Sequence, residues 1–589
     1  MTARPDRVQP GDTAAFLPLT CEEMQRRGWR EYDILLVSGD AYIDHPAFGV
    51  PLLGRVLEAA GFRVAIVAQP RWDTLEDIAR MGRPRLFCGI GSGCLDSMLS
   101  HYTAFRKKRH DDAFTPGGQA GARPNRATIV YANLVRAAFP GLFLAIGGIE
   151  ASLRRAAHYD FWSSSLRRSI LLDSKADLLI YGMGERPIVE LARRLQNGEP
   201  TTGIPGTAWL DATPGDATLL PSFEEIQQDK GKLLTATLAI EQQVHQGKPL
   251  LAQAHGNRFV LMAPPPPVMT TTEMDAIYDL PFTRRQHPSY RQPIPALETV
   301  RWSITCVRGC GGGCAFCSIA MHEGRHLTSR STASLEREVR KLTAMPGWRG
   351  NISDVGGPTA NLWGANCALP LGACHRTSCL YPSPCPNLKL NQMGYIAMLR
   401  RLKSLPTVRS VGIASGIRYD AAMLEPAFID ALTAEFVGGH LKIAPEHIND
   451  RILAEMRKPP FAVFEQFCRQ FERCSRAHGK EQYTVPYIIS ALPGCTLRDM
   501  RDIAAWFRRH GWNPQQVQCF IPTPGTVATA MFYGEVDSRG RHQYVPISDH
   551  DREEQHYQLF QGRKNLYNDP LLPRQNTSSH RNHPPKRHP

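Results

Sequence analysis

At 589 residues the chain is too long for one hydrophobic core, so two or three domains are expected. Apolar residues make up 42% and charged residues 21%, which sets aside disordered and membrane-embedded classes and is ordinary for a soluble globular protein. The net charge of +14 points to an anionic partner such as nucleic acid; much of it gathers in Arg106–Arg109, Arg284–Arg285 and the tail Arg574–Pro589, where solvated loops account for it as well.

Met1–Thr20 has no apolar signal-peptide region, and no stretch is long and apolar enough to cross a bilayer, so a cytoplasmic protein without membrane partners is expected. The first part alternates strand and helix. Tyr32–Gly39, Arg63–Gln69, Arg85–Gly91, Gly141–Gly148 and Ala176–Gly182 read as buried strands, and Pro51–Gly61, Ile129–Phe139 and Pro187–Asn197 as helices. That alternation predicts a doubly wound, mainly parallel sheet. Phe105–Arg126, rich in Gly, Pro and charge, reads as an exposed loop. Phe223–Val244 reads as one helical run, and Ala263–Pro267 with the irregular Thr270–Pro295 as a linker closing a domain at residue 295.

The second half is also βα. Its predicted strands are Val300–Thr305, Asn351–Gly357, Val408–Ser415, His440–Pro445, Tyr483–Ser490 and Gln516–Pro522. Its helices fall at Ser334–Met345, Gln392–Leu405, Ala421–Phe436, Phe461–His478 and Leu497–His510. Six such units predict a closed or partly closed barrel over residues 296–535, with function at the C-terminal strand ends. Residues 536–589 form an extension, with a helix at Asp549–Tyr567 and a disordered basic tail.

Eight of the fifteen cysteines lie between Cys306 and Cys385, and only Cys21, Cys88 and Cys94 precede them. In a reducing compartment such clustering points to metal rather than disulfides. Cys310, Cys314 and Cys317 form C-x3-C-x2-C after a predicted strand. Three thiolates at that spacing can hold a [4Fe–4S] cube and leave one iron open. The intervening glycines let the backbone take positive φ and turn N–H groups toward the cluster sulfurs. S-adenosylmethionine can chelate the open iron, accept an electron and break to a 5′-deoxyadenosyl radical. Structural zinc, with Cys306 as fourth ligand, is the competing reading. Phe316, one residue before Cys317, completes the C-x3-C-x-aromatic-C signature of radical S-adenosylmethionine (SAM) enzymes. Cys306 then has no metal role and reads as a packed thiol.

Residues Asp279–Tyr533 resemble the YgiQ-like radical SAM family through DLPFTRRQHPSY, SITCVRGCGGGCAFCSIAMHEGR, SDVGGPTANLWG, IASGIRYD, LKIAPEHINDRILAEMRKP and FIPTPGT. YDILLVSGDAYIDHPAFG and AIGGIEASLRR resemble that family's N-terminal domain. The resemblance implies a doubly wound, cobalamin-binding-like α/β domain followed by a partial (βα)6 radical SAM barrel. It also implies an iron–sulfur cluster and S-adenosylmethionine, with no known substrate. In radical SAM folds the positions of Gly356, Gly357 and Thr359 bind the methionyl amino group; the alternative is a simple turn. Ser415, Gly416 and Arg418 would meet ribose or carboxylate, or form a turn capped by Asp420. Tyr487–Gly494, with its Pro493-Gly494 turn, would pack on adenine or be a buried strand and turn. Glu446 and His447 end the fourth strand, as acid–base groups or as a surface pair.

Asp44-His45-Pro46-Ala47-Phe48-Gly49 lacks the Asp-x-His-x-x-Gly spacing of corrinoid proteins, so cobalamin is not expected. The electron donor would be a flavodoxin or ferredoxin. The rival class is a non-catalytic, zinc- or Fe–S-stabilised nucleic-acid-binding protein, but no groove-reading helix or aromatic RNA platform is present in the sequence. A second set, Cys367, Cys374, Cys379 and Cys385, lies in an insert at Pro358–Lys389. It suits an auxiliary Fe–S cluster or structural zinc, with His375 as an alternative ligand.

Overall fold

The computed structural model describes residues 13–370, 372–514 and 516–560; the basic tail from Arg574 and the end of the helix read to Tyr567 lie outside them. In the first half, β1 (Ile34–Ser38), β2 (Val64–Ala68), β3 (Phe87–Gly91), β4 (Phe143–Gly147) and β5 (Leu178–Ile180) run parallel in the order β2-β1-β3-β4-β5. They are near-continuous apolar runs because both faces are covered. Leu35, Val37, Cys88 and Ile90 pack on one side with Tyr131 and Val135 of the helix Ala127–Ala138. Ile34, Leu36, Val64 and Ile66 pack on the other with Leu57 and Leu191, from the helices Gly49–Ala59 and Glu185–Asn197.

The sheet continues beyond what the sequence suggests. β6 (Thr207–Asp211), β7 (Thr218–Leu220), β8 (Leu251–His255) and β9 (Arg258–Met262) extend it in the order β6-β9-β8-β7, with β5/β6, β6/β9 and β9/β8 antiparallel. The β8–β9 turn pairs His255 with Arg258 across Gly256 and Asn257, a two-residue hairpin signal the helix-seeking pattern passes over. The run Phe223–Val244 is two helices, Phe223–Gln228 and Lys232–Gln246, split at Asp229–Gly231. The expected linker contains a helix, Thr271–Asp279, with a capping box between Thr270 and Glu273.

Two arginines within charged stretches read as solvated are instead interior. Arg123, in the expected exposed loop, is fully buried and paired with Asp40 at 2.8 Å and Asp112 at 3.2 Å. Arg284 is buried against Glu338 and donates to the Ser303 carbonyl at 2.6 Å, so it ties the first half to the first barrel strand.

In the second half, Ser303–Thr305 pairs in parallel with Asp354–Gly356, and Asn351–Ile352 with Ser410–Val411. His440–Glu446, Tyr483–Ser490 and Gln516–Cys519 form a second parallel arc. The chain is thus a mixed α/β fold, with a doubly wound sheet followed by a partial six-stranded barrel. The first strand starts at Ser303 because Pro295–Val300 is a helix. The third strand is two residues long rather than eight. The cause is Asp354, whose carboxylate accepts the amides of Ala414 at 2.7 Å and Ser415 at 3.0 Å in place of ladder carbonyls. Pro426 stops the predicted helix Ala421–Phe436 from being continuous; it opens a new one at Pro426–Glu435. The helix Asp549–Gln558 packs back onto the body: Arg552 is buried, stacks 4.4 Å from the Phe161 ring and donates to the Phe520 carbonyl at 2.5 Å.

Candidate functional site

The loop carrying Cys310, Cys314 and Cys317 leaves the first barrel strand and returns through a short antiparallel pair, Val307–Arg308 with Thr328–Ser329. Gly313 holds φ of +60°, and a Cβ there would run into the Thr377 carbonyl. Only glycine supports that turn. Cys310 Sγ lies 3.5 Å from the Thr359 hydroxyl. Arg418 Nη1 donates to Cys314 Sγ at 3.4 Å, and its other edge is fixed by Asp420, Nε at 2.9 Å and Nη2 at 2.5 Å. Burial pushes the Cys317 thiol up to about 12, with the neighbouring Cys314 and Cys310 adding to the effect.

This donor set fits a thiolate-held cluster: three thiols on one glycine-walled loop, with a buried cation beside them. Among the described residues no three Cys, His, Asp or Glu side chains close on one point as a single metal ion requires. Cys306 is fully buried below the loop, its amide bonded to the Gly356 carbonyl at 2.7 Å and its thiol pushed up by burial.

The second and third strand ends meet the loop. A Cβ on Gly356 would collide with the Ser415 hydroxyl, and one on Gly357 with the Val307 carbonyl. Thr359 is buried and donates to the Pro358 carbonyl at 2.8 Å. Ser415 donates its hydroxyl to Asp354 at 3.2 Å. Gly356, Gly357, Thr359, Ser415 and Arg418 therefore share one end of the barrel. Gly494 donates its N–H to the Tyr544 carbonyl at 2.9 Å, and its own carbonyl accepts from Arg451 at 3.0 Å.

Glu446 and His447 part company. Glu446 has φ of +74° at an irregularity in its strand, and burial holds its carboxyl above the usual range against the pull of Lys458 and Arg418. Its charge reaches Cys317. His447 turns into the core, with Nδ1 accepting the Asn449 amide at 3.0 Å and Nε2 3.5 Å from Cys495 Sγ. Lys458, which sequence reasoning did not single out, is buried with Nζ 3.9 Å from Glu446 and 2.6 Å from the Ala444 carbonyl. The only sequence signal was the pair Arg457-Lys458 beside two prolines.

A cavity of about 1710 Å³, counting its open mouth, lies between the two halves. Gly91, Gly147 and Gly182 line it at the carboxyl ends of β3, β4 and β5, and Thr305, Val307 and Gly357 line it from the barrel. Its position beside β1 and β3 is the point where the strand order reverses, the usual ligand crevice of such sheets. Its polar groups are few. Arg308 bridges Glu185 at 2.5 Å and the Tyr278 hydroxyl at 3.2 Å, and burial pushes His322 down to about 4. His45 is buried outside this lining, with Nδ1 accepting the Ala47 amide at 3.0 Å. The expectation against cobalamin rested on that histidine alone, and the cavity itself does not exclude a corrinoid.

Among the described residues no helix is long and apolar enough to cross a membrane.

Comparison with known proteins places the chain. The Radical SAM N-terminal family matches residues 16–303, and the Radical SAM superfamily matches residues 304–507. UPF0313 protein GSU2873 of Geobacter sulfurreducens is 49% identical over 550 residues, 91% of each chain. A UPF0313 protein of Methanosarcina acetivorans is 45% identical, covering 90% of this chain and 76% of its own. UPF0313 protein YgiQ of Escherichia coli is 41% identical over 611 residues, 92% of this chain and 83% of its own. Among solved structures, the radical SAM methyltransferase TsrM of Kitasatospora setae, with cobalamin and a [4Fe–4S] cluster bound, has a TM-score of 0.49 at 16% identity. That similarity spans 85% of this chain and 77% of TsrM. The cobalamin-dependent radical SAM enzyme OxsB has a TM-score of 0.47 at 9% identity, over 88% of this chain and 58% of its own. With both halves matched and relatives this similar along nine-tenths of its length, the chain belongs to the UPF0313, YgiQ-like family of radical SAM enzymes.

Proposed function

We propose that the chain cleaves S-adenosylmethionine reductively at a [4Fe–4S] cluster held by Cys310, Cys314 and Cys317, and turns the resulting radical on a substrate in the cavity between sheet and barrel. The observation that carries this reading is the Arg418 guanidinium at Cys314, on a glycine-walled cysteine loop that opens beside that cavity. When bound, the cluster would supply one electron to S-adenosylmethionine at its open iron and yield a 5′-deoxyadenosyl radical.

The remaining work falls to the chain's own groups. Arg418 offsets thiolate charge, and Asp420 fixes its orientation. The strand ends at Gly356 and Gly357 carry no side chain, which lets Ser415 and Val307 close against them at the end of the barrel where the methionyl group would bind. Glu446, whose carboxyl desolvation raises, is the candidate proton donor at this end of the barrel. A flavodoxin or ferredoxin is the matching class of electron donor.

The test is spectroscopic. Anaerobically reconstituted, reduced protein is expected to hold the cluster, with an electron paramagnetic resonance signal that changes when S-adenosylmethionine is added. A signal indifferent to S-adenosylmethionine contradicts the reading.

A further inference from the structure

We propose that Cys367, Cys374, Cys379 and Cys385 hold a second iron–sulfur cluster, seated directly against the loop of the first. The insert that carries them has almost no core of its own. Its regular structure is a three-residue turn at Ala360–Leu362 and a two-residue ladder, Asn366–Cys367 with Leu388–Lys389. Leu362, Ala365 and Leu380 are the insert residues of a small apolar cluster completed by Ala421. A segment of this length with so little apolar burial is normally stapled by something else.

The backbone links Cys379, Cys385 and Cys367. The Cys385 amide donates to the Cys379 carbonyl at 2.8 Å, and the Leu388 amide to the Cys385 carbonyl at 3.0 Å. The ladder sets Cys367 opposite Leu388, three residues beyond Cys385. Arg376 ties the turn together, donating to the carbonyls of Ser378 at 3.0 Å, Tyr381 at 3.0 Å and Ser383 at 2.6 Å. Cys385 is buried, Cys374 and Cys379 are half-buried, and Cys367 is exposed. Buried Arg325 offers the compensating cation, with Nη2 3.8 Å from Cys379 Sγ and Nη1 2.7 Å from the Arg376 carbonyl. His375 is occupied differently. Its Nδ1 lies 3.0 Å from the Gln246 amide, which also donates to the Cys374 carbonyl at 3.2 Å, so it helps to dock the insert on the helix Lys232–Gln246.

The same segment forms a wall of the first site. The Cys379 amide donates to the Gly311 carbonyl at 2.8 Å, and the Ser378 hydroxyl to the Gly312 carbonyl at 2.6 Å. A Cβ on Gly311 would stand 3.3 Å from Cys379 Sγ. The seat against the first loop favours a cluster over zinc: a second cluster there can pass electrons, whereas zinc can only shape the wall.

The second site uses none of Cys310, Cys314 and Cys317, so the two assignments fail separately. The full-length Cys310→Ala, Cys314→Ala, Cys317→Ala variant, reconstituted anaerobically, is expected to keep about four irons and four sulfides per chain, against about eight of each in the wild type. If that variant does not fold, the converse one, Cys374→Ala, Cys379→Ala, Cys385→Ala, decides by losing about half of the wild-type iron. Only about four irons in the wild type, or one zinc per chain in the first variant, overturns the cluster. So does alkylation of all four insert cysteines in the folded, reconstituted protein.

Discussion

Arg418 reaches Cys314 Sγ with one guanidinium nitrogen, 3.4 Å away, while Asp420 grips its opposite edge. Both charged groups are nearly sealed from solvent, with 8% of Arg418 and 5% of Asp420 exposed. The pair aims a fixed cation at a thiolate, and it makes each partner depend on the other. Arg418→Met strands a buried carboxylate and is expected to lower unfolding stability by about 3–5 kcal/mol. Arg418→Met with Asp420→Leu removes both charges and should recover most of that loss. Denaturant titration of the reconstituted variants measures both, and equal losses in the single and double variants would contradict the pairing.

Cys306→Ala is expected to retain all the iron of the wild type and its cleavage of S-adenosylmethionine. The thiol is fully buried in the apolar core of the barrel. Loss of about 1 kcal/mol is the expected effect on stability, from the small void left behind. Loss of an iron equivalent, or zinc in the purified protein, would restore the four-ligand reading.

Gly313→Ala tests the wall between loop and insert. The added methyl must displace the Thr377 carbonyl and hold φ near +60°, so cluster content should fall at least twofold while the far sheet stays folded. Iron analysis and circular dichroism on the same sample separate the two effects. Unchanged iron in a soluble variant would show that insert and loop move independently.

His447 predicts the acid limb of stability. An unfolded histidine titrates near 6.5, whereas burial pushes the folded His447 down to about 4. Between those values the unfolded state binds a proton that the folded state refuses, so stability falls as pH drops through that window. One such group contributes up to about 1.4 kcal/mol per pH unit. His255, His322 and His556, also pushed down to about 4 by burial, act over the same range. The Nδ1 of His447 accepts the Asn449 amide, so protonation there turns an acceptor against a donor. The melting temperature of His447→Gln should depend less steeply on pH between 6.5 and 4 than that of the wild type. Identical slopes would count against a buried neutral imidazole.

How much of this was legible in the sequence follows from range. Cys310, Cys314 and Cys317 with their glycines are one short local motif, and the parallel strands of the first half are uniform apolar runs; both could be read directly. The third barrel strand was overread because its amides go to a side chain, Asp354, which no periodicity records. Arg123 and Arg284 looked solvated because their partners Asp40 and Glu338 are far away in sequence. The cavity needs Gly91 and Gly147 from one half and Val307 and Gly357 from the other, so no single window contains it. Lys458 likewise acquires meaning only when the fold brings it to Glu446.

The central claim stands on one assay. Anaerobic wild-type protein, reconstituted with iron and sulfide and reduced with dithionite, is incubated with S-adenosylmethionine, and 5′-deoxyadenosine is quantified by mass spectrometry. The account predicts steady formation by the wild type and none by the Cys310→Ala, Cys314→Ala, Cys317→Ala variant. Cleavage that persists in that variant, or none by wild type carrying its full iron, would contradict it.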